Sequence, residues 1–190
     1  LAEPHSSLGD LYMRYGMLWH ALAQYREAVR LESERAYFRY QLGEVLNRVG
    51  LSSEALDQLT EAALLSPKTP YYRFRLACLY QQLGQHEDAY THMCLTCRLA
   101  PHDDYYWIRL ASLAMATGRA QDGVDYLRKA VQLRPHNDGY QRLLAEGLRM
   151  IGQTHDGDTL CRKLGRLNPY DEEFVTRRLG EWRRQEQVNV

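Results

Sequence analysis

The sequence lacks several features that would point to a particular class of function. Its 24 basic and 24 acidic residues cancel, whereas general binding to nucleic acid or anionic membranes needs a surplus of lysine and arginine. No apolar run approaches the roughly 20 residues that a membrane-spanning helix needs, and no signal-peptide pattern is present. The four cysteines have no disulfide-like spacing, which favours a reducing compartment. These absences predict a cytoplasmic protein that binds neither nucleic acid nor membrane.

Residues for catalysis or cofactor binding are also missing from the patterns that such chemistry needs. The seven histidines are scattered without a paired nucleophile or carboxylate, and there is no glycine-rich phosphate loop. Cys94 and Cys97 form a C-x-x-C pair, but zinc usually requires a second pair of ligands at its own spacing. A redox cysteine is activated at a helix N-terminus, whereas this pair falls inside a predicted helix. We expect ordinary packing for the pair, no metal, no cofactor and no enzymatic activity.

What the sequence does contain is a strict internal repeat of 34 residues. The glycines that recur at this interval are Gly16, Gly50, Gly84, Gly118 and Gly152. Leucine columns that begin at Leu8 and Leu31 have the same period, and so do the prolines from Pro67 to Pro169. A period of 20 to 50 residues indicates that one supersecondary unit is copied along a solenoid or array.

Each copy is predicted to be a helical hairpin, as residues 36–69 illustrate. Apolar residues from Phe38 to Val49 follow three- and four-residue steps, which predicts an amphipathic helix. Gly50 can adopt the left-handed conformation that ends a helix. A second amphipathic stretch follows and stops before Pro67.

Two columns of small residues predict that the two helices of each hairpin cross closely. The first column is Gly9, Gly43, Ala77, Ala111 and Ala145, and the second is Ala21, Ala55, Ala89, Gly123 and Gly157. A larger side chain in either column would push the hairpin open. Because glycine within a helix costs about 1 kcal/mol relative to alanine, we expect the fourth and fifth hairpins to be softer than the others.

These columns resemble the tetratricopeptide repeat family. The residues of the fourth copy that match the family pattern are Trp107, Leu110, Ala111, Ala114, Gly118, Leu127, Ala130 and Pro135. The other copies depart at the tryptophan position, where His5, Arg39, Arg73 and Gln141 stand. The resemblance implies an all-α, right-handed superhelical solenoid of five 34-residue helix-turn-helix repeats. The predicted repeats are residues 2–35, 36–69, 70–103, 104–137 and 138–171, followed by a C-terminal capping helix at 172–187.

The capping helix is predicted from a final amphipathic stretch outside the repeat. Its apolar stripe is Phe174, Val175, Arg178, Leu179 and Trp182, and the residues expected to face away are Arg177, Glu181, Arg183 and Arg184. A solenoid needs such a terminal element with a polar outer side.

The family resemblance also implies that the first helices line a concave groove for a peptide or a partner helix. The groove-facing residues that we expect to contact a protein partner are Tyr37, Tyr40, Tyr71, Phe74, Arg75, Tyr105, Arg109 and Arg142. Tyrosine and arginine often carry most of the binding energy, and arginine pairs with carboxylates or stacks on rings. The partner segment is therefore expected to be acidic or aromatic. Alternatively, the tyrosines pack between hairpins beneath the arginine stems.

The sequence thus predicts a non-catalytic protein-interaction scaffold or adaptor, with a role in complex assembly. One alternative is the substrate-recognition arm of a larger enzyme, which stays open because the chain begins at Leu1 and is expected to be trimmed. Another is an RNA-binding helical repeat, which the strict period and the balanced charge disfavour. Association of identical chains through the N-terminal face is a further hypothesis.

Overall fold

The computed structural model describes residues 1–183, and every regular element in that range is an α-helix, which confirms the all-α prediction. The helices are α1 Ala2–Arg14, α2 Leu18–Leu31, α3 Ala36–Arg48, α4 Ser52–Leu65, α5 Pro70–Gln82, α6 His86–Leu99, α7 Asp104–Ala116, α8 Ala120–Leu133, α9 Asp138–Met150, α10 Thr154–Leu164 and α11 Pro169–Arg183. Among these helices, none combines the length and the apolar character that crossing a membrane requires.

The first ten helices pair in chain order as antiparallel hairpins, with α1 against α2 and so on to α9 against α10. The five repeated glycines end the first helices as predicted, with φ between 72° and 87°, a conformation that glycine adopts without steric penalty. The amide after each glycine closes the turn. In the second hairpin, for example, Leu51 donates to the carbonyl oxygen of Leu46 at 2.9 Å.

The chain divides into two compact units. The first, Leu1–Leu99, contains the hairpins α1 to α6, and the described part of the second contains α7 to α11. In the first unit α2 packs on α3 and α4 on α5, around a core that includes Tyr25, Val45 and Leu59. In the second unit α8 packs on α9.

The small columns do mark close approaches between paired helices. A Cβ atom added to Gly43 in α3 would lie 2.8 Å from Cγ of Leu59 and 3.3 Å from the carbonyl oxygen of Ala55, both in α4. In the fifth hairpin a Cβ atom on Gly157 would lie only 2.7 Å from the carbonyl oxygen of Ala145. Gly157 is therefore required by contact between two backbones.

The last two helices depart from the pattern of the earlier hairpins. The other second helices end at Leu31, Leu65, Leu99 and Leu133, whereas α10 stops at Leu164, one turn before the equivalent Leu167. Gly165, with φ of 64°, follows directly. As a result α11 begins at Pro169, three residues inside the predicted fifth repeat. Residues 184–187 of the predicted capping helix lie outside the described residues.

The predicted stripe of α11 does face the protein. Val175, Arg178 and Trp182 are buried, and Phe174 is half-buried. α11 packs chiefly on α9 and α7, the first helices of the two preceding hairpins. The expectation for Glu181 is corrected, because its carboxylate turns to accept hydrogen bonds from Arg178 at 2.9 and 3.1 Å. Arg184, predicted to face away, lies outside the described residues.

Replacing Ala55 by leucine tests the close crossing of α3 and α4. Ala55 is fully buried, so the larger side chain must push the helices apart. We expect Ala55→Leu to lower the free energy of unfolding by about 1–3 kcal/mol, measured by urea denaturation. Ala23→Leu, at an exposed position of α2, is the matched control and should change it by less than about 0.5 kcal/mol. Equal effects would contradict the close crossing.

The third hairpin contains a histidine whose protonation opposes folding. The ring of His92 in α6 stacks on Tyr80 in α5, with centroids 5.4 Å apart. Burial and the positive charge of Arg73 lower the pKa of His92 below its ordinary value of 6.5, although Asp88 acts in the opposite direction. As the pH falls below about 6.5, the unfolded chain takes up a proton that folded His92 resists, and the free energy of unfolding decreases.

Phenylalanine at this position retains a ring against Tyr80 but cannot be protonated. We therefore expect His92→Phe to lose less unfolding free energy than the wild type between about pH 7.5 and about pH 5.5, as measured by urea denaturation at each pH. His102→Phe, at an exposed loop position, should leave the wild-type dependence unchanged. The same pH dependence in the wild type and in His92→Phe would disprove the role of His92.

Candidate functional site

The first helices of the first unit bring aromatic side chains together. Tyr37 and Tyr40 lie on α3, and Tyr71, Tyr72 and Phe74 lie on α5. The rings of Tyr40 and Tyr71 meet edge to face, with centroids 5.3 Å apart and an interplanar angle of 70°. The centroids of Tyr40 and Tyr72 are 5.5 Å apart, and those of Tyr71 and Phe74 are 6.4 Å apart. We call these five residues the aromatic cluster.

The aromatic cluster has an exposed layer and a supporting layer. Tyr37 and Tyr71 are 42% and 40% exposed, whereas Phe74 is 8% exposed and Tyr40 is half-buried. The hydroxyl groups of Tyr40 and Tyr71 are hydrogen-bonded at 3.0 Å. Burial and this hydrogen bond raise the pKa of Tyr40, so its hydroxyl stays protonated. Tyr37 and Tyr71 are therefore the accessible part of the cluster.

A network of hydrogen bonds ends at the hydroxyl group of Tyr37. The carboxylate of Asp10 in α1 accepts hydrogen bonds from the hydroxyl of Tyr25 and from Nε2 of Gln41, each at 2.6 Å. The same Nε2 atom donates to the hydroxyl of Tyr37 at 2.9 Å. Three helices thus fix the orientation of one exposed tyrosine. Sequence analysis did not select Asp10 or Gln41, because the contacts of Asp10 are made with residues of two other helices.

Arg75 is already paired within the protein. Its Nε atom donates to Oε1 of Glu44 at 2.9 Å, and a second, short hydrogen bond joins Nη2 to Oε2. The side chains of Arg75 and Glu44 are 32% and 14% exposed. Burial opposes the charge on Arg75, but the attraction of Glu44 outweighs it and the pKa of Arg75 is raised. A carboxylate from a partner would have to compete with Glu44.

The remaining predicted site residues belong to the second unit. Tyr105 and Arg109 lie on α7, where Tyr105 is exposed and Arg109 half-buried. Arg142 on α9 donates to Sγ of Cys161 at 3.2 Å and to the carbonyl oxygen of Gly165 at 3.1 Å. It therefore ties α9 to the end of α10, and its guanidinium group is not directed wholly at a partner.

Tyr72 is the member of the aromatic cluster that sequence reasoning missed. It follows Tyr71 directly and so falls outside the columns expected to face a groove. The only available signal was the Tyr71–Tyr72 pair itself, since the packing of Tyr72 on Tyr40 depends on the rotation between α3 and α5.

The cysteine pair lies inside a helix. Cys94 and Cys97 lie within α6, and Cys97 is buried. In the part of the chain that the structure describes, no three histidine, cysteine, aspartate or glutamate side chains are grouped so that they could hold a metal ion.

Two segments of the chain match the sequence model of the tetratricopeptide repeat family, residues 70–103 and residues 105–137. The chain contains tetratricopeptide repeats. This confirms the family resemblance, and the matched segments contain the hairpins α5/α6 and α7/α8. The boundaries of the other repeats stay predictions. A comparison with curated protein sequences finds no significant match.

Several solved structures share the fold. A MamA protein superposes with a TM-score of 0.76 at 13% identity, covering 93% of this chain and 94% of that chain. MamA from Desulfovibrio magneticus RS-1 gives 0.73 at 20% identity, covering 86% and 92%. YrrB, described as a TPR protein with an unusual peptide-binding site, gives 0.70 at 18% identity, covering 86% and 84%. Together with the family match, this likeness in fold supports a protein-interaction scaffold.

Removing the charge of Glu44 tests its pairing with Arg75. Glu44→Gln retains the shape of the side chain but leaves Arg75 without an anionic partner. We expect the free energy of unfolding to fall by about 1 kcal/mol, because Arg75 remains partly hydrated. Glu54→Gln is the control, since Glu54 pairs with Arg26 at 2.8 Å with both side chains about half exposed, and it should cost less than about 0.5 kcal/mol. Equal losses in urea denaturation would contradict this assignment.

Proposed function

We propose that this tetratricopeptide-repeat protein is a non-catalytic scaffold or adaptor that holds an extended segment or a helix of a partner protein against the aromatic cluster. The observation that carries the proposal is the pair of exposed rings, Tyr37 and Tyr71. Tyr71 is hydrogen-bonded to Tyr40 of the neighbouring helix, and Tyr37 to Gln41 of its own helix. Rigid tyrosines offer a large contact area at little entropic cost, and their hydroxyl groups can still bond to polar atoms.

The charges around the cluster favour an apolar or aromatic anchor in the partner. Arg75 is committed to Glu44, so a carboxylate of the partner would gain little unless it displaced that group. Aromatic or aliphatic side chains, in contrast, can pack on the faces of Tyr37 and Tyr71 without breaking an internal contact. The sequence predicts an acidic or aromatic segment; we retain the aromatic anchor and propose an apolar one in place of the acidic one.

The fold comparison supports the same proposal by analogy. YrrB, which shares the fold, is described as having a peptide-binding site. Because folds are shared by proteins with different functions, this likeness supports the class of partner and not its identity. Tyr105, Arg109 and Arg142 lie in the second unit, and any contribution they make to partner binding is a separate proposal.

Affinity capture from a native lysate, followed by mass spectrometry, tests the proposal. The baits are the wild type, a Tyr37→Ala/Tyr71→Ala double variant and a Tyr15→Ala control, in which a more exposed tyrosine outside the cluster is removed. We expect a protein that is retained by the wild type and the control but lost from the double variant.

Calorimetry with a synthetic segment of that protein should then show at least about a 30-fold weaker affinity for the double variant, which corresponds to the loss of about 2 kcal/mol typical of binding hot spots. Circular dichroism must first show that the double variant is folded. Equal binding by the double variant and the wild type would move the partner surface away from the aromatic cluster.

A further inference from the structure

We propose that the first helices of the second unit, α7 and α9, form a helix-binding site that α11 fills as a displaceable internal ligand. This site is independent of the aromatic cluster, which belongs to the first unit. The partner that it fits is an amphipathic helix with an aliphatic residue, an arginine and a tryptophan along one stripe, as in α11 itself.

The path of the chain after α10 places α11 against α7 and α9, the first helices of the fourth and fifth hairpins. In the regular hairpins a second helix packs on the first helix that follows it, as α8 does on α9. α10 ends one turn early, and Gly165 takes a conformation with φ of 64° that other residues rarely adopt. α11 then packs on α9 and α7 instead of continuing the stack against α10. Its N-terminus is capped by Asn168, whose Oδ1 accepts from the amide of Asp171 at 3.0 Å.

The contact has the form of a helix bound in a groove. Val175, Arg178 and Trp182 are spaced at i, i+3 and i+7 and are 6%, 1% and 2% exposed, a spacing typical of helical ligands. Val175 and Trp182 share an apolar cluster with Ile108 and Met115 of α7. Met115 is therefore already buried in an apolar cluster that includes side chains of α11.

The first helices α7 and α3 differ at three corresponding positions. Ile108, Ser112 and Met115 of α7 are buried, whereas their equivalents on α3, which are Tyr40, Glu44 and Asn47, are half-buried. α7 thus carries apolar and small side chains suited to a covering helix, where α3 carries tyrosine, a carboxylate and an amide.

The inward face of α11 includes polar groups whose hydrogen-bonding capacity is not fully used inside the protein. Arg178 pairs only with Glu181 of the same helix among the described ion pairs, so the pair can leave intact when α11 moves. Two further buried atoms, Nε of Arg178 and Nε1 of Trp182, have no hydrogen-bond partner among the described residues. Buried polar atoms without partners lower the stability of a contact. These features favour a helix that stays in the site mainly because the chain links it to α10. Another helix of similar sequence can then replace it.

The probe for this site is a fluorescein-labelled peptide of residues 169–183, titrated into the full chain and followed by fluorescence anisotropy. In the wild type the tethered α11 competes with the peptide. We expect Trp182→Ala in the protein to weaken that competition and to raise the affinity for the wild-type peptide at least about tenfold. Tyr170→Ala, on the same helix at a position 86% exposed, should behave as the wild type, and a peptide carrying Trp182→Ala should not bind.

Hydrogen exchange of the wild-type protein provides a second measurement that does not depend on the folding of a variant. We expect α11 to open at least about tenfold more often than α7 and α9, and the added peptide to speed its exchange further. Exchange of α11 only together with α7 and α9 would overturn the proposal, as would equal peptide affinity for the wild type and a folded Trp182→Ala variant. The Tyr37→Ala/Tyr71→Ala variant should bind the peptide like the wild type, which separates this site from the aromatic cluster.

Discussion

The close crossing of the two helices in each hairpin is the constraint on which the rest of the structure depends. Gly43 and Ala55 leave no space between α3 and α4 for a larger side chain, and Gly157 meets the backbone of α9 directly. Because each hairpin is closed in the same way, successive first helices present equivalent positions every 34 residues. Residues far apart in the chain, such as Tyr40 and Tyr71, are thereby brought within hydrogen-bond distance.

Within the first unit this regular spacing is used to fix side chains that would otherwise be mobile. Asp10, Gln41 and Tyr37 are linked across α1 and α3, and Glu44 holds Arg75 between α3 and α5. Ordering these groups before a partner arrives reduces the entropy lost on binding. Because Arg75 is paired within the protein, we propose the tyrosines as the residues that recognise a partner.

The second unit uses the same hairpins differently. The shortened α10 and Gly165 redirect the chain, so that a segment expected to cover the end of the stack lies on α7 and α9 instead. Arg142 stabilises this arrangement by donating to the carbonyl oxygen of Gly165. A position that we propose to face a partner in one hairpin can thus be a structural contact in another, although both occupy the same place in the repeat.

The sequence by itself determined the hairpins, their glycine turns and the small columns at the crossings, because these depend on helical periodicity and on backbone conformations within about 34 residues. It also identified most members of the aromatic cluster and the inward stripe of α11. Only the tertiary structure decided that Glu44 occupies Arg75, that Tyr72 joins the cluster and that α11 turns back onto α7 and α9. These outcomes depend on the rotation between neighbouring helices and on side-chain rotamers, which a local pattern does not encode.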